Sequence, residues 1–272
     1  MRLVGVKDLP SHLQFNPRVK RGYRPPMSLN DCLSSICYVH NESFNIYSHA
    51  FALCYFALVS WLDYSNVWSS ESLGIITCFI VLDYLSSCVP FIASVVYHLF
   101  MPHNSGRHTY NMLLMVDVCG VWFSCTVGAL SLIYCSLQCI PWLRNCYLML
   151  YAVVSLTCLV FLVTSTSAKA RVVPLTIQFC VRVISHFIRL SPIGSGHPSA
   201  VNYHIIMDIF AAAGALINAL HIPERWLPGK VDYIFNGHSL MHISAFVTLT
   251  FGRKGFLLDM LWLSTNNHCH RI

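Results

Sequence analysis

VVPLTIQFCVRVISHFIRL, from Val172 to Leu190, is apolar enough for a bilayer except at Gln178, Arg182, His186 and Arg189. At about 100° per residue these four, together with Arg171, fall in one narrow sector of a helix and leave Val, Leu, Ile and Phe on the rest. A segment striped in this way either lies flat on a membrane or crosses it with the stripe turned into a bundle. The choice decides the fold, because it sets the side of the membrane from which every later element enters.

Composition makes the membrane the setting. Of 272 residues, 56% are hydrophobic and only 10% charged, and the mean hydropathy is +0.58. Too few charged side chains are available to cover a soluble core of this size, which excludes an ordinary water-soluble domain. Runs long enough to span about 30 Å of hydrocarbon occur at 45–62, 74–99, 111–134, 142–163, 204–220 and 237–251, the last being short. Counting 172–190 as well, the expected fold class is an all-α integral membrane protein. A seven-transmembrane helix bundle occupies 45–263, after a cytoplasmic amino-terminal segment (1–44) with an interfacial polar cap, and before a short carboxyl-terminal tail (264–272).

Orientation follows from the basic residues. Arg2, Lys7, Arg18, Lys20, Arg21 and Arg24 precede the first span, and none occurs between Asp63 and Ser72, so the amino terminus is expected in the cytoplasm. No cleavable signal pattern opens the chain, and the first span is expected to act as an uncleaved anchor. The N-E-S sequon at Asn41 then lies on the wrong side for glycosylation. The address is expected to be the plasma membrane or Golgi and other endomembranes. Thirteen cysteines are scattered singly through apolar runs with no CxxC pair. Only Cys135, Cys139 and Cys146 group around one loop, where a disulfide is conceivable in an oxidising compartment.

The chemistry sits in GHSLMH, Gly237 to His242. His238 and His242, four residues apart, share one helix face at the spacing two metal ligands need. If 172–190 spans, SVVYH (94–98) ends the second span at the depth where this last helix begins. MVDVCG (115–120) then places Asp117 early in the third span, at the same level. His98, His238, His242 and Asp117 thus share one depth. Each taken singly has a bland reading, a hydrogen bond to a neighbouring helix. Together, three imidazoles and a carboxylate suggest zinc, and three protein ligands with a fourth position open is the catalytic pattern. His40, Glu42 and His49 read as part of the interfacial cap, with a second metal site as the alternative. Pro228-Gly229 reads as a turn with Trp226 at the interface, Ala211 and Ala215 as a helix-packing face, and NNHCHRI (266–272) as a mobile tail.

HNESFNIYSH (40–49), SVVYH, the aspartate of MVDVCG, PERWLPGKVDY (223–233) and GHSLMH resemble the motifs of the progestin and adipoQ receptor family, in that family's order along nearly the whole chain. The resemblance implies seven spans, a cytoplasmic amino terminus and Zn2+ as cofactor near the cytoplasmic side. It puts the metal ligands at His98, His238 and His242, with Asp117 holding the zinc water and Ser94 beside it. Gly237 and Ser239 stand where the family usually has Ser and Gln, and Tyr47 where Trp is common.

Relatives in the same superfamily hydrolyse ceramide, so the resemblance implies a lipid-amide hydrolase releasing a sphingoid base and a fatty acid. In that scheme Asp117 orients or deprotonates the water, Ser94 stabilises the developing oxyanion, and Arg171 and Arg182 meet a head group or fatty carboxylate. Pairing of Arg182 with Asp208 or Asp83 is the structural alternative. The expected partner is a membrane lipid, ceramide or fatty acid, with no nucleic acid and with a homo-oligomer allowed. A ligand receptor and a membrane scaffold, each with a structural zinc, compete with the hydrolase. A G-protein-coupled receptor is disfavoured by the expected orientation and by the lack of DRY and NPxxY motifs.

Overall fold

Backbone groups in hydrocarbon must find their partners within the same segment, so apolar runs in this chain become helices. The computed structural model describes residues 2–68, 74–165, 167–265 and 269. They form α1 (Leu29–Ser34), α2 (Ser43–Trp68), α3 (Ile75–Phe100), α4 (Arg107–Ser136), α5 (Pro141–Thr164), α6 (Ala168–Leu190), α7 (Ala200–Leu220) and α8 (Gly237–Ser264), with short 3-10 turns near the amino terminus. The extended pairings among the described residues are two isolated bridges, Val4 with Tyr23 and Met27 with His103.

Six helices, α2 to α7, are long and apolar enough to cross a membrane. α6 belongs to this set, and its faces resolve the striped segment. Gln178, Arg182, Ser185 and His186 are buried, whereas Val172, Val173, Ile177, Ile184, Phe187 and Leu190 are exposed. A helix resting on a membrane surface would turn its polar side to water, so α6 is of the other kind, polar inside and apolar outside. The seventh expected span, α8, falls outside the apolar set. It has 28 residues, but Arg253, Lys254 and Asp259 interrupt its apolar run.

The described residues divide into two compact units. The first comprises Met1–Cys54, Phe91–Gly120 and Ile209–Val247. Its amino-terminal segment folds back on itself through Val4 and Tyr23 and buries Val6, Leu9, Leu13 and Val19 with Tyr97, Met101 and Tyr110. Arg24 is buried too, and its guanidinium closes the carboxyl end of α3. It donates to the carbonyls of His98 (2.5 Å) and Leu99 (3.0 Å) and to Ser35 Oγ (2.7 Å). Those carbonyls lack partners within the helix, and a cation there also suits the helix dipole. α8 is started with equal care. Asn236 Oδ1 accepts from Ser239 N at 3.0 Å as an N-cap, and the Glu224 carboxylate takes Gly237 N at 2.6 Å. Gly237 is needed for close approach: a Cβ there would lie 2.9 Å from the Ile217 carbonyl oxygen.

The second unit comprises Tyr55–Pro90, Val121–Asp208 and Thr248–Ile272. Its buried charges are paired. Asp208 receives Arg182 and, at 2.6 Å, His186 Nε2. Asp259 receives Arg189 Nη1 at 2.8 Å, His204 Nε2 at 3.2 Å and the backbone of His197 at 3.1 Å. Arg253 lies between Asp83 and Asp63, the latter at 2.6 Å. Gly255 of α8 lets the His204 ring lie against that helix, since a Cβ would meet the ring at 2.7 Å.

Three expectations change here. The cysteine group does contribute a disulfide, but Cys139 pairs with Cys269, while Cys135 and Cys146 are free thiols. The tail is tethered at Cys269, and its other residues, 266–268 and 270–272, lie outside the described set. The packing position on α7 is Gly214, which receives Ser244, and Ala215 beside it is exposed.

Candidate metal centre

The three candidate ligand histidines come from two helix ends in the first unit. His98 is in the last turn of α3, and His238 and His242 occupy successive turns at the start of α8. His238 Nε2 lies 3.2 Å from His98 Nε2 and 3.3 Å from His242 Nε2. The three ligand atoms all lie within 4.8 Å of one another, with His98 and His242 buried and His238 partly so.

The outer ring nitrogens explain why the inner ones face each other. His98 Nδ1 meets Glu42 Oε2 at 2.8 Å, and an ionised carboxylate can only accept, so Nδ1 carries the proton. His238 Nδ1 meets the amide oxygen of Asn218 at 3.3 Å, also an acceptor. His242 Nδ1 meets Ser48 Oγ at 3.3 Å, and the serine spends its own proton on the Asn45 carbonyl. All three imidazoles are thereby held with Nδ1 protonated and an Nε2 lone pair pointing inward. Three acceptors facing one another repel unless a cation joins them. The donor set fits a metal ion by this test, and three neutral imidazoles suit zinc and its neighbours in the first transition row.

Glu42 is the charged member of the surrounding shell. Its carboxylate accepts from His98, from Asn45 Nδ2 at 2.8 Å and from Asn41 Nδ2 at 3.0 Å. Burial pushes its pKa up, yet the hydrogen bonds it accepts from His98 and Asn45 favour the ionised form and hold it below the usual carboxylate range. A carboxylate on the far nitrogen of a ligand histidine fixes the ring and raises its basicity. The stretch read as an interfacial cap is therefore interior: His40, Asn41, Glu42, Asn45 and His49 are all buried. Burial and the nearby Arg24 guanidinium keep His40 neutral, at about 4. Asn41 is occupied by Glu42 and leaves no room for a glycan. The spacing 42, 45, 49 puts all three side chains on one face of the entry to α2, and that spacing was the signal that could have found them.

The other expected site residues lie as follows. Ser94 is buried, and its Oγ is hydrogen-bonded to His49 Nδ1 at 2.8 Å. The His49 ring stacks on that of His242 with centroids 3.6 Å apart. Asp117 is on α4, and the three-imidazole group that could hold a metal does not include it among the described residues. Arg171 and Arg182 belong to the second unit. There Arg171 Nε donates to the Ser165 carbonyl at 3.3 Å, and Arg182 pairs with Asp208.

A buried three-imidazole cluster set among apolar helices defines a class of helical membrane protein, and comparison with known proteins gives that class its name. Residues 37–251 match the family model described as Haemolysin-III related. The chain is 38% identical over 263 residues to progestin and adipoQ receptor family member 4 of Mus musculus, covering 96% of this chain and 94% of that one. Its identity to the member 4 protein of Homo sapiens is 37% over 272 residues, covering 99% and 97%. The adiponectin receptor protein of Drosophila melanogaster is 25% identical over 257 residues, covering 89% of this chain and 56% of its own length. The chain belongs to the haemolysin-III-related family, within its progestin and adipoQ receptor members, and is a multi-pass membrane protein.

Proposed function

We propose that the chain is a zinc-dependent hydrolase of lipid amides, ceramidase-like in its reaction, releasing a sphingoid base and a fatty acid within the membrane. The observation that carries this reading is the convergence of three imidazole lone pairs, each fixed from behind by a separate partner. A zinc ion seated there supplies Lewis acidity for hydrolysis at neutral pH. His98, His238 and His242 hold it. Asp117 orients the attacking water, takes its proton as the oxygen adds to the amide carbonyl, and passes it to the nitrogen as the carbon–nitrogen bond breaks. Ser94, positioned by His49, donates to the developing oxyanion.

In this reading α8 is the seventh span, the amino terminus is cytoplasmic, and the metal lies toward that side. At about 1.5 Å per residue α8 is long enough to cross, and its charged residues have partners: Arg253 with Asp63 and Asp83, Asp259 with Arg189. The basic amino-terminal segment supports the orientation. So does the Cys139–Cys269 bond, which ties the α4–α5 turn to the end of the chain and suits an oxidising compartment.

The test is release of fatty acid from labelled ceramide by purified full-length protein, with and without chelator. Release that chelation abolishes and zinc restores is expected. The relatives' names favour a second reading, a ligand receptor whose zinc only joins α3 to α8. Retained zinc with no zinc-dependent release rejects the hydrolase in favour of that reading.

A further inference from the structure

The connection from α7 to α8, residues 221–236, and the amino-terminal stretch 16–24 are joined into one surface of the first unit. Gly229 N donates to the Arg18 carbonyl at 3.2 Å. The Arg21 guanidinium returns a bond to the Gly229 carbonyl at 3.0 Å. Asp232 accepts the backbone N–H groups of Lys20 at 2.9 Å and Arg21 at 3.1 Å. The acids of these two stretches, Glu224 and Asp232, are only 1% and 3% exposed. Both are spent inward, Glu224 on Asn16 and the first N–H of α8, and Asp232 on the two backbone N–H groups.

The cations keep their heads outward, although Arg21 Nε lies 3.5 Å from the Asp232 carboxylate and Lys20 Nζ donates to the Pro17 carbonyl. Lys20, Arg21, Arg225 and Lys230 are exposed, and Arg21 shows 74% of its side chain. Trp226 and Phe235 stand among them, 67% and 53% exposed, with Leu227 and Ile234 beside them. The outward surface is thus positive and carries apolar rings. Its place in the chain matters as much. The connection begins where α7, one of the helices long and apolar enough to cross a membrane, ends at Leu220, and a bilayer crossed by α7 would bring it to the headgroups. Aromatic side chains settle at that level, and basic clusters next to spans attract anionic lipids.

We propose that this surface docks anionic phospholipid headgroups. Lys20, Arg21, Arg225 and Lys230 take the phosphates, and Trp226 and Phe235 enter the headgroup layer. A lipid fits better than an acidic protein, because the apolar rings lie among the cations on a connection that directly follows a helix apolar enough to cross a membrane. The proposal does not depend on what the metal centre does.

The test titrates full-length protein in neutral detergent with a short-chain phosphatidylinositol phosphate or a short-chain phosphatidylcholine, read by native mass spectrometry. Wild type is expected to prefer the phosphorylated lipid. Arg225→Gln and Lys230→Gln should each weaken that binding roughly fivefold, and Arg225→Lys should restore it. Unchanged metal content and elution volume show that the variants are folded. Trp226→Ala is expected to weaken lipid binding and to leave any binding of soluble polyglutamate untouched. Equal binding of the two lipids by wild type overturns the proposal, as do Gln variants that bind like wild type. Tighter binding of polyglutamate than of lipid overturns it in favour of an acidic protein partner.

Discussion

Two groups of polar side chains are buried among these helices, and they are built on opposite plans. In the second unit each buried carboxylate faces a guanidinium or an imidazole: Asp208 with Arg182 and His186, Asp259 with Arg189 and His204. Donors meet acceptors, and the charges are matched by neighbouring side chains. In the first unit three acceptor nitrogens meet one another while all their donors point outward to Glu42, Asn218 and Ser48. Complementary clusters hold helices together without a ligand, whereas convergent acceptors are complete only with a cation. Burial of polar groups does not by itself mark a site. Its polarity does.

Substitutions can break this contrast. The largest effect is expected from Asp117→Asn, which should lower ceramide turnover by about 10²–10⁴-fold while the zinc content stays near that of wild type. Fatty-acid release and metal content measured on the same preparations check this, and equal turnover would reject Asp117 as the base. In the second unit Asp259→Ala leaves Arg189 buried without its carboxylate and should destabilise the fold by roughly 3–5 kcal/mol. Thermal unfolding in detergent reads it, and an unaltered melting temperature would mean that the paired cluster does not hold the helices.

Glu42→Gln sharpens the contrast at the metal. Glutamine can still accept from His98 Nδ1 but brings no charge, so metal affinity should fall by about 10–100-fold with folding retained. Competition against a chelator of known affinity measures this, and wild-type affinity in the variant would remove Glu42 from the site. The smallest effect is at Gly255→Ala. The added Cβ would press on the His204 ring, at a cost of about 1–3 kcal/mol, while metal content stays unchanged. An unaltered melting temperature would mean that the His204 ring yields to the added Cβ without cost.

The parts of this plan that were legible in sequence are those carried by a local period. The stripe of α6 was visible because Gln178, Arg182 and His186 recur at helical spacing, and that spacing survives any arrangement of neighbours. His238 and His242 were visible for the same reason. Glu42 was not, because its role depends on the carboxyl end of α3 coming to rest beside the first residues of α2. Without that contact, a polar residue ahead of an apolar run looks like an interfacial cap. Asn218 and Ser48 were hidden in the same way, each an ordinary polar residue until a ring nitrogen meets it. Charge also sets α8 apart from the six apolar helices. Arg253 and Asp259 lower the apolar character of α8, and their partners Asp63, Asp83 and Arg189 stand on other helices, where the sequence of α8 alone does not reveal them.

The bond between Cys139 and Cys269 closes a covalent ring of α5 to α8, since its two ends are 130 positions apart. A single cut inside that ring, for instance in the connection between α6 and α7, would not release a fragment. The protein would run as one band on a denaturing gel and fall into two pieces only after a thiol was added. Digests read without reductant would therefore make this half of the molecule look resistant to a protease that had already cut it.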